Sequence, residues 1–170
     1  RNRPIPIVYG DWGLSAGTGN ESIAIPAICV DMALPQKKFK VCDHGLLSIT
    51  RYLRNAVALN ATTQINNICL TDGTFQIATA QAYSGTADTM SVNCKGLKTA
   101  NASLIEEPMD VLRNMQTAWL GLTATDLDVT AYNTVNTSGT DTEVVRRSIS
   151  EEVRSERLLA ELLHESRVDM

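Results

Sequence analysis

Ile65-Asn-Asn-Ile-Cys-Leu-Thr-Asp-Gly-Thr-Phe-Gln-Ile-Ala-Thr-Ala80 is the stretch that decides the fold class. Two short runs, Ile65 to Leu70 and Thr74 to Ala80, flank Thr71-Asp72-Gly73, and an Asp-Gly pair between β-prone runs is a strong local hairpin signal. Phe75 and Ile77 alternate with polar neighbours, as one half-buried face of a strand requires. Past a polar turn around Ser84-Gly85, Thr89 to Cys94 repeats the alternation with Met90 and Val92. The spacing predicts a β-meander between Ile65 and Gly96.

Upstream, Phe39 and Val41 alternate with Lys38 and Lys40, so a strand follows Leu34-Pro35 with one solvated face. Ser22 to Met32 reads as a strand kinked at Pro26, which lacks the ladder donor. Pro4-Ile-Pro-Ile-Val-Tyr9 is extended because each Pro fixes its own φ and drives the preceding residue to the β region. Gly10 to Gly19 holds four glycines and is a loop, with Trp12 as its buried anchor. Leu46, Ile49, Leu53 and Val57 could form a helical face, but Ile49-Thr-Arg-Tyr-Leu53 and Ala56-Val-Ala-Leu59 fit two strands split at Arg54-Asn55, the reading adopted.

Downstream the period changes. Glu107-Pro108 opens a segment whose Val111, Leu112, Met115, Ala118 and Trp119 occupy one helical face, ended by Gly121. Thr123-Ala-Thr-Asp126 reads as a capping-box variant for a short helix holding Leu127, followed by a polar loop over Val135 to Thr142. Glu143 to Ile149 reads as a strand, and Ser148-Ile-Ser-Glu151 caps a final helix with Leu158, Leu159, Leu162 and Leu163 on its apolar side. The expected fold class is α+β. A β-rich meander, small barrel or sandwich over residues 1–100 precedes an α+β segment over 101–170 of helix, short helix, strand and helix, continuing into a longer chain.

Composition narrows the function classes. The 170 residues are 44% hydrophobic and 20% charged with net charge −4, sufficient for a folded domain. No basic block could neutralise a run of phosphates, which argues against nucleic-acid recognition. The apolar stretch Ile23 to Val30 is short and broken by Pro26, so no membrane span is expected. Cys29, Cys42, Cys69 and Cys94 form no C-x-x-C pair and sit in apolar strand-like settings, the usual environment of reduced core thiols. Four Asn-x-Ser/Thr triplets, at Asn20, Asn60, Asn101 and Asn136, carry little weight in a chain rich in these residues.

Catalytic patterns are weak throughout. Cys42-Asp43-His44 could begin a metal site, but the other histidine, His164, lies far along the chain on a helix end. No G-x-S-x-G elbow is present, and Gly13, Gly17 and Gly19 lack the Lys-Ser/Thr of a phosphate loop. Glu106, Glu107 and Asp110 suit the positive end of a helix. No catalytic residue, cofactor or metal is expected, and the chain does not read as an enzyme.

Four stretches carry a resemblance. Asn2-Arg-Pro-Ile-Pro-Ile-Val-Tyr-Gly10, Leu70-Thr-Asp-Gly-Thr-Phe-Gln-Ile77, Glu107-Pro-Met-Asp-Val-Leu-Arg113 leading to Trp119-Leu-Gly-Leu-Thr-Ala-Thr-Asp-Leu-Asp128, and Val145 to Leu163 resemble segments of tail-tip and baseplate hub proteins of long-tailed bacteriophages and gene-transfer-agent particles. The resemblance implies a virion structural protein of the viral tail, assembled in the host cytoplasm in symmetric copies, supporting host adsorption and genome delivery. Its partners would be copies of itself, other tail proteins and a host-surface receptor. The candidate packing or subunit interface is Val111, Leu112, Met115, Trp119, Leu159, Leu162 and Leu163. The competing reading is a secreted or surface-displayed adhesion module with disulfides and glycans.

Overall fold

The computed structural model describes residues 5–13, 24–33, 36–79, 81–85, 87–131, 133 and 147–149. Among the described residues nine strands are arranged in two antiparallel sheets: β1 (Ile7–Tyr9), β2 (Ile25–Asp31), β3 (Lys38–Lys40), β4 (Leu46–Arg54), β5 (Val57–Ala58), β6 (Ile65–Cys69), β7 (Thr74–Ile77), β8 (Met90–Leu97) and β9 (Arg147–Ile149). Seven of them form a curled sheet, a half-barrel, in the order β5-β4-β8-β2-β3-β7-β6. β1 pairs with β9, and Val8 stands opposite Ser148.

The curl is built into β2. Ile25 to Ala27 pair with β8, whereas Ile28 to Asp31 pair with β3, so one strand serves both halves. Pro26 sits on the exposed side, where its missing donor costs least. A bulge between Ile49 and Arg51 bends β4, and the Thr50 hydroxyl there donates to the Asn93 carbonyl at 3.1 Å.

The predicted Asp-Gly hairpin is β6–β7, and the hairpin split at Arg54-Asn55 is β4–β5, with Asn55 and Ala56 both at positive φ as a tight two-residue turn requires. The meander is corrected at its third strand. β8 runs beside β4 and β2, not beside β7. Two forces decide this. Phe39 of β3 takes the edge of β7 by stacking on Phe75 with ring centroids 5.5 Å apart, and Asp88, just before β8, binds Arg54 at the end of β4.

The main core collects Val8, Ile25, Phe39, Val41, Leu46, Tyr52, Phe75, Ile77 and Val92, with Tyr52 and Tyr83 meeting the phenylalanine pair edge-on. Cys42 and Cys94 are buried among them as small apolar groups, and all four thiols are unbonded. A second, smaller cluster joins Tyr9, Ile105 and Val111.

The predicted helix divides in two. α1 (Pro108–Asn114) starts with Pro at its first turn, and Met115–Trp119 continues as a π-helical turn in which the Leu120 amide bonds the Met115 carbonyl at 3.2 Å. The wider turn breaks the expected stripe, since each i→i+5 step rotates the chain differently from an α-turn and leaves Ala118 exposed. Gly121 at φ 72° ends it. The short helix is also corrected. Thr123 to Asp126 closes on itself as a turn through the Thr123 amide and the Asp126 carboxylate at 2.7 Å, and helical backbone begins at 129, where Asp128 accepts the Ala131 amide at 3.0 Å. The polar loop, residues 143–146 of the expected Glu143 to Ile149 strand and the final helix lie outside the described residues.

Candidate functional site at the first strand

β1 is the seam of the molecule. Its alternation sends Val8 into the main core and Tyr9 into the α1 cluster, both fully buried. The chain then continues along β8: Trp12 N–H donates to the Cys94 carbonyl at 2.8 Å, Gly96 N–H to the Gly10 carbonyl at 2.9 Å, and Gly10 N–H to the Ile105 carbonyl at 3.2 Å. Trp12, expected as the buried anchor of the glycine loop, is half-buried, with its indole N–H on the Tyr9 carbonyl at 2.7 Å and its side chain against the main core, while the loop from 14 to 19 lies outside the described residues. Asn93 donates to the Trp12 carbonyl at 2.9 Å. Lys95 reaches Asp11 at 3.2 Å across the same join.

His44 fixes the other side of β1. The Val8 amide donates to Nε2 at 2.8 Å, and Nδ1 donates to the Gly45 carbonyl at 2.9 Å. Burial pushes the imidazole below its ordinary value, partly opposed by the Gly45 carbonyl and by Asp43. Cys42 on the same loop donates its thiol to the His44 carbonyl at 3.2 Å, and burial raises that thiol to about 11. Cys42 and His44 are thus committed to neutral backbone contacts, and among the described residues no cluster of three metal-binding side chains is present.

The α1 side is held by polar and apolar contacts together. The Tyr9 hydroxyl donates to Asn114 Oδ1 at 2.9 Å, and Val111 is fully buried beneath it. Leu112 is also buried, whereas Met115 packs against the cluster while half-exposed. Trp119 ends the π-helical turn, and the position of its side chain, like Leu159, Leu162 and Leu163, lies outside the described residues. Beyond it, Leu120 is 54% and Leu122 38% exposed on either side of Gly121. Sequence reading missed this pair because Gly121 reads as a helix stop and the leucines as ordinary flanking residues.

A groove of about 440 Å³ opens nearby, lined by Ile5, Val30, Lys38, Lys40, Asp43 and Thr71 among others. Its charges neutralise one another, and Lys40 is bound to Asp43. Among the described residues no helix is long and apolar enough to cross a membrane.

No family model, curated protein or solved structure matches the chain.

Proposed function

We propose that the chain is a non-catalytic structural subunit of a phage tail tip or baseplate, working by assembly with copies of itself and other tail proteins. The observation that carries this reading is the exposed Leu120-Gly121-Leu122 knuckle at the end of a helix whose opposite face is already buried. Two exposed leucines so close together suit a subunit contact better than solvent. Both open edges of the curled sheet favour a knuckle contact over strand-to-strand pairing. β5 has only two residues, and β6 is bulged between Asn66 and Cys69 with Asn67 at φ 47°.

Unbonded thiols suit assembly in a reducing cytoplasm more than the alternative of a secreted adhesion module. The finer α+β organisation belongs to the same proposal: a β-rich 1–100, then 101–170 with a terminal helix presenting Leu159, Leu162 and Leu163 to a neighbouring subunit. A host-surface receptor and a place in the virion tail follow from this reading.

Native mass spectrometry of the non-reduced protein, before and after thiol alkylation under denaturing conditions, tests it. The reading expects a trimeric or ring-sized assembly with four free thiols, dissociated in the Leu120→Asp/Leu122→Asp variant. A disulfide-bonded monomer contradicts it and favours the adhesion module.

A further inference from the structure

We propose that His44 is a proton-operated latch: neutral, it holds β1 against the curled sheet, and protonated, it loosens β1 together with the paired strand β9. Both ring nitrogens face backbone groups whose roles are fixed. The Gly45 carbonyl can only accept, so Nδ1 carries the hydrogen. The Val8 amide can only donate, so Nε2 must keep its lone pair. Adding a proton to Nε2 sets one N–H against another across 2.8 Å, and neither backbone group can turn to relieve it.

The position makes the contact consequential. Val8 is in the main core, Tyr9 is in the α1 cluster, and β9 pairs with the same three residues of β1. A weakened Val8 amide bond therefore acts on both clusters and on the returning strand.

The charged surroundings are sparse. Asp43 precedes His44 and favours its protonation, but it is exposed and bound to Lys40. Asp72 on the β6–β7 turn and Lys38 on β3 line the groove beside them. Across β1 the Asp11–Lys95 pair closes on β8, and α1 contributes the Asp110–Arg113 pair. β1 itself has one titratable group, the Tyr9 hydroxyl bound to Asn114, and β9 places Arg147 in register with Tyr9. Cys42 and Cys94 are neutral, with thiols raised to about 11 and about 12.

The sign follows from burial. An opened latch titrates near the ordinary 6.5, and the closed one below it. Latch stability is fully present above that ordinary value, begins to fall as pH drops through it, and is lost as pH falls through the lower value of the closed form.

Amide hydrogen exchange on the full chain near pH 7.5 and near pH 5, corrected for intrinsic rates, reads the latch directly. We expect the Val8 protection factor to fall about tenfold, the equivalent of one hydrogen bond of about 1.4 kcal/mol, while Val92 and Phe75 stay protected. In His44→Gln, whose side-chain carbonyl can accept from Val8 at any pH, that fall should vanish. Val8 protection that is unchanged in the wild type, that falls equally in His44→Gln, or that falls only together with Val92 and Phe75 overturns the proposal; the wild-type measurement alone is decisive if the variant does not fold.

Discussion

Gly96 lies directly under the backbone of Val8: a β-carbon placed on Gly96 would stand 2.4 Å from the Val8 carbonyl oxygen and 3.0 Å from the Tyr9 carbonyl carbon. β8 can carry β1 across its face only where it has no side chain. The absent methyl is what lets Val8 and Tyr9 reach two different clusters from adjacent positions.

Gly96→Ala should therefore destabilise the protein by about 1–3 kcal/mol, because the obstacle is backbone and cannot rotate away. Gly121→Ala is the control. Its β-carbon meets nothing, so only the positive φ of 72° is strained, at a cost of about 1 kcal/mol. Urea denaturation of the two variants should rank them in that order.

Leu112→Asp should cost about 3 kcal/mol or more, since a carboxylate replaces an apolar side chain that is nearly fully buried. Loss of the cooperative thermal transition, or a marked fall in Tm, is the expected readout. Leu120→Asp, at a position exposed in the single chain, should cost the subunit's own fold little, so that any fall in Tm is only that of the lost assembly and vanishes at dilutions where the wild type is itself dissociated.

Asp88 sets an acid limit on the junction of β4 and β8. The Arg54 guanidinium at 2.6 Å, the Ser84 amide at 2.7 Å and the Asn55 side-chain amide at 2.9 Å hold its carboxyl well below the ordinary range, down to about 2. Its contribution to stability is complete above its ordinary 3.8 and is lost as pH falls through about 2. Unfolding followed from pH 5 to pH 2 should show this loss in the wild type and a flatter profile in Asp88→Asn.

The thiols should divide by burial. Cys42 and Cys94 are fully buried with thiols raised to about 11 and about 12, so they should resist alkylation near pH 8 until the protein unfolds. Cys29 and Cys69 are only half-buried, and mass spectrometry should find them modified first.

What could be read from residue order alone was local. Asp72-Gly73 and Asn55 favour turn backbone on their own, so both hairpins were legible, although Ala56 at φ 64° completes the second turn against its own preference. The partner of β8 was not, because it depends on Phe39 meeting Phe75 and on Asp88 meeting Arg54, contacts between residues far apart in sequence. The π-helical turn escaped because the i, i+4 pattern of Val111, Met115 and Trp119 is the same whether or not the last turn widens. His44 stood out in the sequence only as a possible start of a metal site. Its role on β1 depends on Val8, whose backbone amide has no signature in the sequence.

The account rests on β1 being the strand that binds the curled sheet and the α1 cluster into one unit. Amide hydrogen exchange at neutral pH of Val8, Gly10, Trp12 and Gly96, whose N–H groups make the bonds of the seam, tests this most directly. The account predicts that all four exchange at the slow rate of Val92 in the main core. Exchange of these four at near-intrinsic rates while Val92 remains protected would contradict it.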